Sequence, residues 1–194
     1  MGMGLMAGRR VSYALIVLAV LGCGRNEGAP QVTSVQAVAA VRGFDAADIP
    51  ASLDRLNSAS FGDAALVPGL APFLKDRDPI RRWAGTYLVA LLVDKGTAHF
   101  LTPVLQDSQP ALRMIAAGSL AGLGVSEALP VLIEGLGTDA LLPYHDPPKA
   151  VAAFARQTLE ALTGKKFITQ AEWRDWWAGI GAKIRWNGER YVAS

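Results

Sequence analysis

Three copies of one apolar spacing run through the middle of the chain, and they restrict the fold more than any other feature. Ile80, Ala84, Leu88 and Leu91 recur as Leu112, Ala116, Leu120 and Leu123, and again as Val151, Ala155, Leu159 and Leu162. Steps of four, four and three residues return each set to one side of an α-helix. A shorter apolar stretch precedes each set: Leu66, Leu70, Phe73 and Leu74; then Phe100, Leu101, Val104 and Leu105; then Leu129, Leu132, Ile133 and Leu136. Each unit therefore reads as a helical hairpin, and a hairpin of this size cannot cover its own apolar side without a neighbour stacked on it.

The punctuation between the stretches agrees. Asp78-Pro79, Gln109-Pro110 and Asp146-Pro147-Pro148 each place proline where a second helix should begin, and Gly124 and Gly164 fall just past two helix ends. A plain helical bundle would show similar stripes, but its spacing need not recur at offsets of 32 and then 39 residues. The expected fold is all-α: a short α-solenoid occupying residues 34–164, closed by a Trp-rich capping segment over residues 165–194. At residues 63–164 the pattern resembles HEAT-like, armadillo-type helical repeats, with Ile80-Arg81 and Leu112-Arg113 matching the apolar-Arg opening of the second helix; the third unit has Val151-Ala152 there. That resemblance implies a surface for protein recognition. Some relatives act in chromophore attachment, so the fold by itself does not select a function.

Two shorter helices are expected before the repeats, one lined by Val35, Val38, Ala39 and Val41 and ended by Gly43, the other from Pro50 to Ser58. Proline suits a first helical position, where its missing N–H would have been unpaired. In the third unit residues 138–149 form an insert containing Leu141, Leu142, Pro143, Tyr144, His145 and Asp146. Inserts of this kind emerge on one face of a stack and either bind partners or cover exposed core. After Gly164, Thr169 and Glu172 stand three apart as a capping box, so a helix follows. It carries Trp173, Trp176, Trp177 and Ile180, which close the end of the stack or offer a stacking platform. Thr163-Gly164-Lys165-Lys166-Phe167 resembles the ends of many bacterial HEAT-like proteins. Asn187-Gly188 suits a type I′ turn, predicting a small β-hairpin with Ile184, Trp186 and Tyr191 on one face and Arg185 opposite Arg190.

At the other end, Arg9 and Arg10 precede the apolar run from Val11 to Gly22, which stops at Cys23, the single cysteine. A charged start and about a dozen apolar residues fit a secretory signal peptide over residues 1–22 and fall short of the ~20 needed to span a bilayer. Val20-Leu21-Gly22-Cys23 resembles the bacterial lipobox, and the resemblance implies cleavage before Cys23 and lipidation of that cysteine. Residues 23–33 would then be a flexible tether. The implied location is the bacterial cell envelope, and Gly24 in place of aspartate favours the outer membrane, facing the periplasm, in a Gram-negative cell. Loss of the leader removes Arg9 and Arg10 and leaves 17 basic residues against 17 acidic ones. A neutral chain without a basic stripe gives nucleic-acid binding little support.

Chemistry is sparse. With Cys23 assigned to lipid, His99 and His145 are the remaining candidates for a catalytic base or metal ligand, and no Gly-x-Ser-x-Gly, His-Glu-x-x-His or paired Cys-x-x-Cys occurs. No catalytic residue, metal ligand or cofactor is assigned. The expected role is binding an unidentified protein partner, with the membrane reached through the lipid on Cys23. Arg81, Arg82 and Arg113, with Tyr144 and His145 on the insert, are the candidate contacts. The arginines also stand near enough to Asp76, Asp78 and Asp107 to be taken up in loop ion pairs. A rival is a ligand-binding or weakly catalytic protein that uses residues 138–149 and the Trp-rich end.

Overall fold

The computed structural model describes residues 32–144 and 148–193. The leader, Cys23, most of the tether and residues 145–147, His145 among them, lie outside the described residues. The tether ends earlier than expected, because Val32 packs against the core and Thr33 caps the first helix. Helix α1 (Ser34–Arg42) starts in a capping box in which Gln36 N–H donates to Thr33 Oγ1 and Thr33 N–H donates to Gln36 Oε1. Helix α2 (Ile49–Ala59) starts at Asp48, with Pro50 in its first turn. The two pack as a hairpin against the first repeat unit.

The first segments of units one and two are not simple helices. Helix α3 (Val67–Leu70) follows a 3-10 turn at Ala64–Leu66 and continues as a 3-10 turn over Ala71–Lys75; helix α5 (Ala98–Leu101) likewise continues as Thr102–Gln106. Pro72 and Pro103 stand where these second turns begin. Each lacks the N–H that would extend the α ladder, so the chain tightens into 3-10 geometry. In helix α7 (Ala128–Gly135) the corresponding Pro130 lies in the first turn, where no such donor is needed, and the helix is regular.

The second helices are α4 (Pro79–Leu92), α6 (Pro110–Gly122) and α8 (Val151–Thr163). They lie side by side in chain order, each against the first segment of its own unit, and α6 also touches α7. Ser119 Oγ, buried in α6, donates to the carbonyl of Ala90 in α4 and ties two units together. Burial is wider than a stripe. Every residue from Trp83 to Leu92 is buried in α4, and every one from Met114 to Gly122 in α6. Ile80 and Leu123, at the two ends of their apolar sets, are only half-buried. Neighbouring segments cover the remaining sides of these helices, so the stack shows no open apolar trough along them.

Helix α8 corrects one expectation. It begins at Val151 and not at Pro147-Pro148, because strand β2 (Lys149–Ala150) intervenes and pairs antiparallel with β1 (Leu141–Leu142). Both predicted glycine stops are present: Gly124 at φ 91° after α6 and Gly164 at φ 67° after α8. The first has its six-to-one hydrogen bond, Val125 N–H to Leu120 O at 3.0 Å.

Helix α9 (Gln170–Ile180) has the predicted Thr169–Glu172 capping box. It docks on α7, where Gln170 Nε2 donates to the carbonyls of Ile133 at 2.8 Å and Glu134 at 3.1 Å, near the end of that helix. Trp173 is fully buried beneath the cap and meets Phe167 edge-on at 4.9 Å. The terminal hairpin forms from β3 (Ile184–Trp186) and β4 (Tyr191–Ala193), but its register differs from the expected one. Arg185 faces Val192, and Trp186 faces Tyr191. Asn187 Oδ1 accepts from the N–H groups of Glu189 and Arg190, which holds a four-residue loop in place of a two-residue turn and keeps the two arginines from opposing each other.

Candidate binding surface

Asp76 and Asp107 organise the loop of units one and two in the same way. Asp76 Oδ1 accepts from Asp78 N–H and Asp107 Oδ1 from Gln109 N–H, each two residues on. The backbone carbonyls of the two aspartates then accept from Arg82 Nη1 at 2.8 Å and Arg113 Nη1 at 2.7 Å. Both arginines stand six residues after their aspartate, so Arg82, and not Arg81, is the structural counterpart of Arg113. The pairing of Ile80-Arg81 with Leu112-Arg113 is thus one residue out at this loop, although the apolar sets further along the helices are spaced as described.

Arg82 also reaches the next unit. Its Nε lies 3.2 Å from Asp107 Oδ2, at an angle that makes the contact coulombic and leaves that N–H without a hydrogen bond. Arg81 is more exposed and faces Asp76 at 3.3 Å and Asp78 at 3.4 Å. All three candidate arginines are therefore engaged in organising loops between helices. Asp78 serves the fold too, accepting from Ile80 N–H as the cap of α4.

Tyr144 lies apart from this arginine group's hydrogen bonds. At φ 60° the chain turns its ring onto Trp83 at 4.7 Å and Phe44 at 5.1 Å. Burial, with a smaller contribution from the charge of Asp78, holds its phenol above the ordinary tyrosine range. Leu142 is buried as well, while Leu141 stays exposed. The described part of the insert thus covers core between the first unit and the third.

The feature that spacing did not reveal is a groove of about 820 Å³ between the first segments of units one and two. Pro68, Pro72, Phe100 and Pro103 contribute apolar wall, and Arg82 and Asp107 contribute the charged end. The same prolines that break these segments into 3-10 turns stay exposed along it. His99 lines it beside Phe100, the rings 4.2 Å apart, and its Nδ1 is 3.1 Å from Gly96 O. A sequence signal for the groove exists in Ala71-Pro72-Phe73-Leu74, Thr102-Pro103-Val104-Leu105 and Leu129-Pro130-Val131-Leu132, a recurring proline followed by two apolar residues. Among the described residues no group of three His, Cys, Asp or Glu side chains is placed to hold a metal ion, and no helix is long and apolar enough to cross a membrane.

A family model described as HEAT repeats matches residues 67–143, from α3 through β1. No curated protein and no solved structure matches the chain. The matched span holds two complete helical hairpins and the first helix of a third, stacked in chain order. The fold is an all-α solenoid of HEAT-like helical hairpins, and the similarity to HEAT repeats covers residues 67–143.

Proposed function

We propose that the chain is a lipid-anchored, non-catalytic scaffold of the bacterial cell envelope that binds another protein along the groove between its first two units. The groove carries this reading: it combines apolar wall from exposed Pro72 and Pro103 and half-buried Phe100 with a fixed charge pair, Arg82 and Asp107. Such a combination suits a partner segment that seats an apolar side chain and orients it by a polar contact. Asp76, Asp78, Asp107 and their arginines are spent on turns and ion pairs, which supports a role in shape over a role in proton transfer. Anchoring rests on the apolar leader and the lipobox-like residues ending at Cys23.

The test is site-specific photocrosslinking in cells that express the full chain. A photoreactive residue at Ala71 gives a discrete protein adduct, Phe100→Asp abolishes it, and the same probe at Ala178 on α9 does not give it. Equal adducts at both positions, or an adduct indifferent to Phe100→Asp, reject the groove. Intact mass of the purified protein checks the anchor: the expected species begins at a lipidated Cys23, and an unmodified terminus elsewhere rejects it.

A further inference from the structure

A second cleft, of about 490 Å³, opens at the far end of the stack between the end of α8, helix α9 and the terminal hairpin. Its apolar surface comes from Trp176, Ile180, Ile184 and Val192, all half-buried. Lys165 and Arg190 also line it, both exposed. Among the described residues neither side chain makes a hydrogen bond or ion pair, in contrast to Arg81, Arg82 and Arg113 at the loops. The left-handed turn at Gly164 matters here: an added Cβ would stand 3.7 Å from Arg190 Nη1, so the guanidinium lies over the turn that leads into Lys165. Charge is segregated in the same sense. Residues 165–194 carry Lys165, Lys166, Arg174, Lys183, Arg185 and Arg190 against Glu172, Asp175 and Glu189, whereas acidic residues outnumber basic ones over 34–164.

An apolar floor holding an indole, lined by two cations that pair with no acid among the described residues, complements an anion attached to an apolar body. Its volume falls within the ~300–1,000 Å³ usual for small-molecule sites. We infer that this cleft binds a small amphiphilic carboxylate, its hydrocarbon part against Trp176, Ile180 and Ile184 and its carboxylate between Lys165 and Arg190. The site is independent of the groove between units one and two.

Octanoate is the probe, with octanamide as its uncharged counterpart, titrated into the full chain and followed by tryptophan fluorescence and calorimetry. Octanoate binds saturably with one-to-one stoichiometry, and octanamide binds at least about tenfold more weakly, the effect of losing a charge-assisted contact. Lys165→Gln combined with Arg190→Gln removes the preference for the anion, while Arg174→Gln, a cation on α9 outside the cleft, leaves it intact. Both substituted positions are exposed, and an unchanged far-UV spectrum shows that the variants are folded. Equal affinity for the two probes, or an octanoate affinity indifferent to the double substitution, overturns the assignment. So does flotation with anionic phosphatidylglycerol vesicles, lost in that same double variant, without any octanoate binding; the cations would then serve a membrane surface.

Discussion

Replacing Arg82 with methionine measures how strongly one repeat unit is joined to the next. The guanidinium donates to Asp76 O at 2.8 Å within its own unit and faces Asp107 Oδ2 at 3.2 Å in the following one. The two side chains are 16% and 13% exposed, so neither limiting case applies. Removing one partner of a fully buried pair costs ~3–5 kcal/mol, and an exposed pair is worth only ~0–1 kcal/mol. A hydrogen bond from a charged donor contributes ~1.5–3 kcal/mol, and the variant loses that bond together with the Arg82 charge facing Asp107 Oδ2, giving an expected loss of about 2–3 kcal/mol. Methionine retains an unbranched apolar stem, so little packing is lost with the charge. For a domain of this size the melting temperature should fall by roughly 4–12 °C. Urea and thermal unfolding of wild type, Arg82→Met, Asp107→Asn and the double variant supply the cycle. Asp107→Asn keeps the Oδ1 acceptor for Gln109 N–H, which isolates the contact between units. A coupling energy of at least ~0.5 kcal/mol is expected. Strictly additive variants, or an Arg82→Met change below ~0.5 kcal/mol, would refute the reasoning.

Two further outcomes follow from the C-terminal hairpin. Gly124→Ala places a Cβ at φ 91° and 2.7 Å from the Trp186 ring, so backbone strain and a clash combine to destabilise by at least ~2 kcal/mol in chemical denaturation, whereas Gly179→Ala, with open space around it and a helical backbone, is neutral or stabilising. Tyr191 Oη donates to Ala121 O at 3.0 Å, and burial, more than the charge of Glu127, pushes its phenol above the ordinary range. The unfolded chain then gives up this proton near pH ~10 while the folded one retains it, so stability is complete below that pH and falls above it by up to ~1.4 kcal/mol per unit. Urea melts at pH 9 and pH 11 should show a steeper decline for wild type than for Tyr191→Phe, which also loses ~1 kcal/mol at neutral pH for the missing hydrogen bond.

Helices α4 and α6 were legible because two independent signals coincide in them, an apolar period near 3.6 and a proline at the first position. The third unit shows how one signal misleads without the other. Pro147-Pro148 resembles the helix starts at Pro79 and Pro110, yet the two-residue strand Lys149–Ala150 comes first and α8 starts at Val151. The hairpin formed, but its expected register failed for a local reason as well. Asn187-Gly188 scores as a two-residue turn, but the Asn187 side chain gathers two N–H groups into a longer loop and shifts the register. The counterpart relation of Arg82 and Arg113 depends on loop geometry, which apolar spacing does not encode. The groove was hidden for a related reason: it is built from exposed prolines beside the half-buried Phe100, and patterning reads burial more readily than exposed concavity. The capping role of the tryptophans was partly readable from their helical spacing, and Trp173 is the one that is fully buried.

The repeat units protect one another in sequence, and hydrogen exchange measured on wild type and Trp173→Ala tests this most directly. Truncating a fully buried tryptophan costs ~3–5 kcal/mol at the cap. In a stack governed by nearest-neighbour contacts that loss should be felt most where the cap docks and fade with distance. The predicted result is a large fall in amide protection in α7 and α8, a smaller one in α6, and almost none in α4. An equal fall from α4 to α9 would instead describe one undivided core and contradict the stacked-unit account.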